Sequence, residues 1–117
     1  MTNPSSLVLQ SAVRSATVRR RIAPLIRKTP VLPSRMTLKN GTGLFYKTEN
    51  FQTTGSFKFR GATAKLTSLP TDRPVITAST GNHGIACSVA AQTTGHDLTV
   101  VVPQNTIAQK REKIESY

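Results

Sequence analysis

Two short apolar runs, Pro74-Val75-Ile76-Thr77-Ala78 and Asp97 through Val102, each precede a stretch with helical periodicity and are stopped by turn residues. A third run, Leu44-Phe45-Tyr46, is followed in the same way by a helical pattern that closes at Pro70. Strand, helix, strand, helix, strand, helix restricts the chain to an α/β fold with a parallel sheet. The runs are apolar rather than alternating, as expected of strands with helices on both faces. In such sheets ligands sit beyond the carboxyl ends of the strands, against helix amino termini. Two loops occupy those positions, Gln52 to Lys58 and Ser79 to His83.

The elements follow from local signals. Leu9, Ala12, Val13 and Ala16 recur at i, i+3, i+4 and i+7 and predict an amino-terminal helix with one apolar stripe. Pro24, Pro30 and Pro33 exclude one continuous helix through the next passage, and Gly41-Thr42-Gly43 is a turn. Ser56 is the expected cap of a helix running to about Leu69, and Asn82 that of a helix with Ile85, Ala86, Val89 and Ala90 inward. Gly95 ends that helix, and a last one begins near Thr106.

Composition removes several classes. At 117 residues the chain has room for one ordinary domain. The single cysteine excludes a disulfide framework or a cysteine-based zinc module, and suits a reducing, cytoplasmic compartment. His83 and Cys87 stand four apart, but two ligands do not make a metal site, so no metal is expected. No apolar run is long enough to span a bilayer, and no membrane partner is expected. The formal charge is +11, with nine Lys or Arg and no acid before Glu49. That start resembles an organellar transit peptide, but a periodic helix leading directly into further structure reads better as a solvated helix face. Nucleic acid is not an expected partner either: there is no finger spacing, and the aromatics are not interleaved with the basic cluster. An anion-binding module whose charge drives its associations stays open as an alternative.

The loop Ser79-Thr80-Gly81-Asn82-His83-Gly84 combines hydroxyls, an amide and two glycines at the start of a helix. Free N–H groups and the helix dipole there favour a carboxylate or phosphate, although the same residues serve as ordinary caps and turns. The other loop, Gly55-Ser56-Phe57-Lys58-Phe59-Arg60-Gly61-Ala62, puts a lysine in the first turn of a helix. A permanent positive charge is unfavourable there and a neutral amine is not, which makes Lys58 a candidate nucleophile toward a carbonyl. The alternative is a lysine that snorkels to solvent.

Together the loops resemble a known family. The run Lys47-Thr48-Glu49-Asn50-Phe51-Gln52-Thr53-Thr54-Gly55-Ser56-Phe57-Lys58-Phe59-Arg60-Gly61-Ala62 is similar to the cofactor-lysine segment of serine/threonine dehydratases. These are pyridoxal-phosphate enzymes of the tryptophan synthase β-like class (fold type II). Ala78-Ser79-Thr80-Gly81-Asn82-His83-Gly84 resembles their Ser-x-Gly-Asn-His loop, and Arg27-Lys28-Thr29-Pro30-Val31 and Val101-Val102-Pro103 fit the flanks. The resemblance implies an incomplete three-layer αβα sandwich. Residues 1–45 would be a helix and connector of the large domain, and residues 46–117 the first part of the small, cofactor-binding domain.

It also implies roles. Lys58 would hold pyridoxal 5'-phosphate as a Schiff base and act as base at the α-carbon of an amino-acid substrate. Phe57 would lie against the cofactor ring, and Asn82 would hydrogen-bond the ring hydroxyl. Ser79, Thr80, Gly81, Asn82 and His83 would line the pocket for the substrate carboxylate. The implied activity is a threonine or serine ammonia-lyase that gives a 2-keto acid and ammonia, with a homo-oligomer expected of the full-length protein. A serine racemase and a hydroxy-aspartate ammonia-lyase share both motifs, but racemases carry serine at the position of Thr80. The family's glycine-rich phosphate loop should lie downstream of Tyr117, so a catalytically dead remnant is a further alternative, and weak cofactor binding with little turnover is expected of these 117 residues.

Overall fold

The computed structural model describes residues 4–117; Met1, Thr2 and Asn3 of the expected large-domain segment lie outside the described residues. Helix α1 spans Pro4–Ile22 and passes through a 3-10 turn, Ala23–Leu25, into strands β1 (Val31–Thr37) and β2 (Gly43–Lys47). A second 3-10 turn, Glu49–Phe51, leads to α2 (Lys58–Leu66), β3 (Val75–Ala78), α3 (Asn82–Thr94), β4 (Leu98–Val101) and α4 (Ala108–Glu115).

The strands β3 and β4 pair in parallel, Val75 opposite Leu98 and Ala78 opposite Val101, with α3 as the crossover between them. This is the α/β arrangement of parallel sheet and helices that the alternating pattern predicts. One sequence expectation is corrected. Leu44-Phe45-Tyr46 does not join the parallel sheet but forms an antiparallel hairpin with β1. The reason is the length of the connection: a tight turn of a few residues allows only antiparallel pairing, because parallel neighbours need a long crossover. Gly41 supplies the left-handed turn position at φ +80°, and its N–H donates to the Leu38 carbonyl at 2.9 Å. Pro33 hides β1 in the sequence, since proline is confined to edges and irregular positions; the register shifts between Pro33 and Thr37.

The core is the contact between α2 and α3. Phe59, Ala62 and Leu66 of α2 meet Ala86, Cys87, Val89, Ala90 and Ala91 of α3, with Ile26, Leu69, Val75 and Leu98 at the margin. Phe59 is 1% exposed, and the alanines opposite let the helices approach closely enough to enclose it. All four expected inward residues of α3 are buried, and Gly95 ends the helix in the left-handed conformation at φ +72°. On the sheet, Val75, Thr77, Leu98 and Val100 are half-buried, while Ile76 (71% exposed) and Val101 project from the opposite face. That bare apolar face is the one expected of an incomplete sandwich.

Three local expectations are also revised. The α1 stripe is not its packing face: Leu9 and Val13 are exposed, and Val18 and Ile22 turn inward. Arg21 fastens the helix to α2 by donating to the Ala64 carbonyl at 2.8 Å and Thr67 Oγ1 at 3.0 Å. Neither Ser56 nor Asn82 caps its helix. The N-cap positions are Phe57 and Gly81, without side-chain bonds, because α2 begins one residue later and α3 one residue earlier than the polar signals suggest.

Candidate active site

The segment before α2 is held from both sides. Arg60 grips the Glu49 carboxylate with two bonds, Nε to Oε2 at 2.9 Å and Nη2 to Oε1 at 2.8 Å. The Thr29 hydroxyl donates to Glu49 Oε1 at 2.5 Å, and Lys47 Nζ donates to the Thr29 carbonyl at 2.6 Å. The hydrogen bond from Arg60 is the main reason the Glu49 carboxyl falls from its ordinary 4.5 to about 2, with smaller help from Thr29 and Lys47 against burial. Gln52 completes the brace: its Oε1 accepts the Arg27 N–H and its Nε2 donates to the Arg27 carbonyl. Gly55, at φ +72°, then turns the chain into Ser56 and Phe57. The result is a first turn of α2 whose position is fixed by half-buried ion pairing rather than by a cap.

Lys58 is the first residue of that helix. Its side chain is exposed and, among the described residues, its amine takes no hydrogen bond or ion pair. It lines an open cleft of about 360 Å³ between α2, β3 and α3. The α2 wall is Lys58, Gly61, Ala62, Lys65, Leu66 and then Leu69, the i, i+3, i+4, i+7 series of one helix face. Phe57 stands at its mouth, 64% exposed. Thr77, His83 and Cys87 form the facing wall.

The second loop lies at the carboxyl end of β3. The Gly81 N–H donates to Ser79 Oγ at 3.3 Å, and the helix begins with the Ile85 N–H bonded to the Gly81 carbonyl at 3.2 Å. Gly84 is required where this loop crosses α3: a Cβ there would stand 2.9 Å from the Ser79 carbonyl oxygen. Asn82 is exposed and makes no capping bond, so its amide is open to a ligand. His83 Nε2 lies 3.3 Å from Thr77 Oγ1 and 3.5 Å from Cys87 Sγ. Burial raises the Cys87 thiol above its ordinary value, so it is a neutral thiol at physiological pH.

Of the residues singled out in the sequence, Phe57, Lys58 and His83 share the cleft. Ser79, Gly81 and Asn82 sit at the start of α3, outside its walls, and Thr80 lines a separate cavity of about 200 Å³ with Asn105, Thr106 and Lys110. The sequence reading passed over Thr77 and Lys65 as wall residues. Lys65 was legible from its spacing of seven from Lys58, whereas Thr77 has no local signal because only the packing of α3 on β3 brings it to His83.

The arrangement supplies an unpaired amine in an apolar cleft next to a helix amino terminus with free N–H groups. An aromatic aldehyde is a chemical match for one part of it, since the amine can bond the aldehyde and Phe57 can cover a flat ring, and the α3 terminus can hold a separate carboxylate.

Comparison with known proteins agrees with that chemistry. Residues 22–117 match the family described as pyridoxal-phosphate dependent enzyme. A serine racemase of Oryza sativa subsp. indica is 41% identical over 101 residues, covering 83% of this chain and 30% of the relative. A catabolic L-threonine dehydratase of Staphylococcus aureus is 39% identical over 101 residues, covering 82% and 29%. The crystal structure of serine racemase from Dictyostelium discoideum superposes with a TM-score of 0.80 at 39% identity, over 87% of this chain and 35% of that one. The chain thus spans about a third of the length of the curated relatives it matches.

Proposed function

Because this chain belongs to the pyridoxal-phosphate dependent enzymes, we propose that it carries the cofactor-lysine half of an ammonia-lyase site acting on threonine or serine. The observation that carries the reading is the unpaired Lys58 amine in a cleft with Phe57 and His83. When bound, the cofactor supplies an electron sink for negative charge at the substrate α-carbon. The chain's residues supply the rest. Lys58 would hold the aldehyde, and its amine, when free, would stand beside the substrate α-proton and take it. The first turn of α3, with the free amide of Asn82, orients the carboxylate through N–H donors. The Glu49–Arg60 brace ties the Lys58 turn to the chain segments of Thr29 and Glu49.

A racemase reading is favoured by the 41% identity to serine racemase, and the two differ in the second base. Thr80 carries a hydroxyl where racemases offer serine, but its methyl restricts the rotamers, and its side chain lines the cavity away from Lys58. Elimination is therefore the reading adopted. Three partner and compartment expectations belong to the same proposal: an amino-acid substrate, a homo-oligomer for the full-length protein, and a cytoplasmic setting. No described helix is long and apolar enough to cross a membrane.

Incubation with pyridoxal phosphate, borohydride reduction and peptide mass mapping test the assignment. A reduced adduct on Lys58, absent from Lys58→Ala, is the expected result. Modification spread over Lys28, Lys39 and Lys65 with none preferred at Lys58 refutes it. For the reaction itself, keto-acid release and chiral analysis of recovered serine, measured on a full-length form, separate lyase from racemase.

A further inference from the structure

His83 is the cleft residue whose ring is held by other side chains, and the way it is held determines what it can offer a ligand. Its Nε2 is 3.3 Å from the Thr77 hydroxyl and 3.5 Å from the Cys87 sulfur, while Nδ1 is 3.9 Å from the same sulfur. Thr77 is half-buried on β3 and Cys87 is 8% exposed on α3, so the two contacts come from different elements and fix the ring in two directions. Cys87 reaches His83 from one helical turn further along α3. The Thr77 hydroxyl can give or accept a hydrogen, whereas the neutral Cys87 thiol has a hydrogen to give and a sulfur that accepts weakly, so an unprotonated Nε2 is the form that suits both contacts. Both lie nearer to Nε2 than to Nδ1, and an imidazole nitrogen that receives hydrogen bonds is the one without a proton.

We propose that Thr77 and Cys87 are positioning residues that hold the His83 ring, in its uncharged form, as the Nδ1–H tautomer, so that this form serves the cleft as an N–H donor to an anion and not as a base. The proposal deepens the reading of this cleft as an amino-acid site and rests on it for the identity of the anion, the substrate carboxylate. It divides the work between the walls: Lys58 moves the proton, and His83, with Nε2 occupied, binds charge without competing for it.

The tautomer is read directly from ring ¹⁵N shifts in long-range proton–nitrogen spectra of the 117-residue chain, labelled at histidine, at about pH 8.5 where imidazole is neutral. His96 gives the second set of signals, assigned by His96→Gln. The expected wild-type result is an unprotonated Nε2 and a protonated Nδ1 at His83. Thr77→Val, which keeps the shape of the side chain, should shift the ring toward the Nε2–H form favoured by free histidine, and Thr77→Ser should restore the wild-type pattern. Cys87→Ser should retain the preference and Cys87→Ala should weaken it, with far-UV circular dichroism separating loss of fold from loss of contact. Thr77→Val sits on a half-exposed strand and carries the test even if both Cys87 variants unfold. An Nε2–H tautomer in wild type, or a Thr77→Val ring spectrum identical to wild type, overturns the proposal. Borohydride mapping of Lys58 is the independent arm. No preferred Lys58 adduct with the expected tautomer present refutes the cofactor reading and leaves the clamp standing. A Lys58 adduct with the wrong tautomer does the reverse.

Discussion

Replacing Glu49 by glutamine tests the brace that fixes the Lys58 turn. Above pH 5 the carboxylate is ionised in both folded and unfolded chains, and the folded chain gains from holding it against Arg60 at 2.8 and 2.9 Å. Each pKa unit is worth about 1.4 kcal/mol, so a fall from 4.5 to about 2 corresponds to about 3 kcal/mol. The Glu49 side chain is 16% exposed and its Arg60 partner 31%, so solvent screening reduces that to about 1–2 kcal/mol. The sign is that of a depressed carboxyl: the stabilisation is complete above the unfolded value of about 4.5 and is lost as pH falls through about 2. Glu49→Gln removes the charge but keeps the shape, and it leaves Arg60 with one neutral acceptor in place of a bidentate partner. Urea unfolding followed by circular dichroism at pH 7, 5, 4 and 3 gives the comparison. Wild type should exceed the variant by about 1–2 kcal/mol at pH 7, and the difference should shrink steadily below pH 5. Thr29→Ala, which removes one donor to the same carboxylate, should cost about 1 kcal/mol and keep part of the pH slope. If Glu49→Gln matches wild type within about 0.5 kcal/mol at pH 7, the brace contributes no more than an exposed ion pair and the reasoning fails.

Three further outcomes follow from the packing. Gly84→Ala forces a Cβ to within 2.9 Å of the Ser79 carbonyl oxygen and 3.1 Å of Ile114 Cδ1; backbone cannot yield cheaply, so the urea midpoint should drop by the equivalent of about 1–3 kcal/mol. Phe59→Ala empties the centre of the α2–α3 contact and should cost about 3–5 kcal/mol, enough to unfold a domain of this size; a cooperative transition near the wild-type midpoint would contradict the core described here. Ile76→Lys places a charge on the bare sheet face and should reduce self-association in sedimentation velocity without lowering the unfolding midpoint, whereas unchanged association would show that this face is not the sticky one.

How far the chain could be read locally differs from element to element. Periodicity marks the helices well: Ile85, Ala86, Val89 and Ala90 turn inward as spaced, and Gly95 stops α3 because only glycine takes φ +72° at no steric cost. The loop from Ser79 is also visible, since it couples the end of β3 to the start of α3 within a few residues, whereas the loop before Lys58 follows a hairpin strand and a 3-10 turn and not a strand of the parallel sheet. The hairpin was not visible. Its first strand contains Pro33, which erases the usual strand signal, and its partner Leu44-Phe45-Tyr46 looks like any other apolar run. The strands of the sheet read as covered on both sides, yet burial alternates along β3 and β4.

What the residues determined alone were properties of spacing: an α/β chain, a lysine opening one helix, an anion-attracting turn opening the next, and a family match built on those two motifs. What needed three dimensions were properties of meeting: Arg60 closing on Glu49, Lys65 joining Lys58 on one wall, Thr77 and Cys87 gripping His83 from separate elements, and Thr80 facing away. The physical reason is that backbone conformation is set by neighbours a few residues away, whereas a side chain's electrostatic partners are chosen by packing between segments far apart in the chain, which no local pattern encodes.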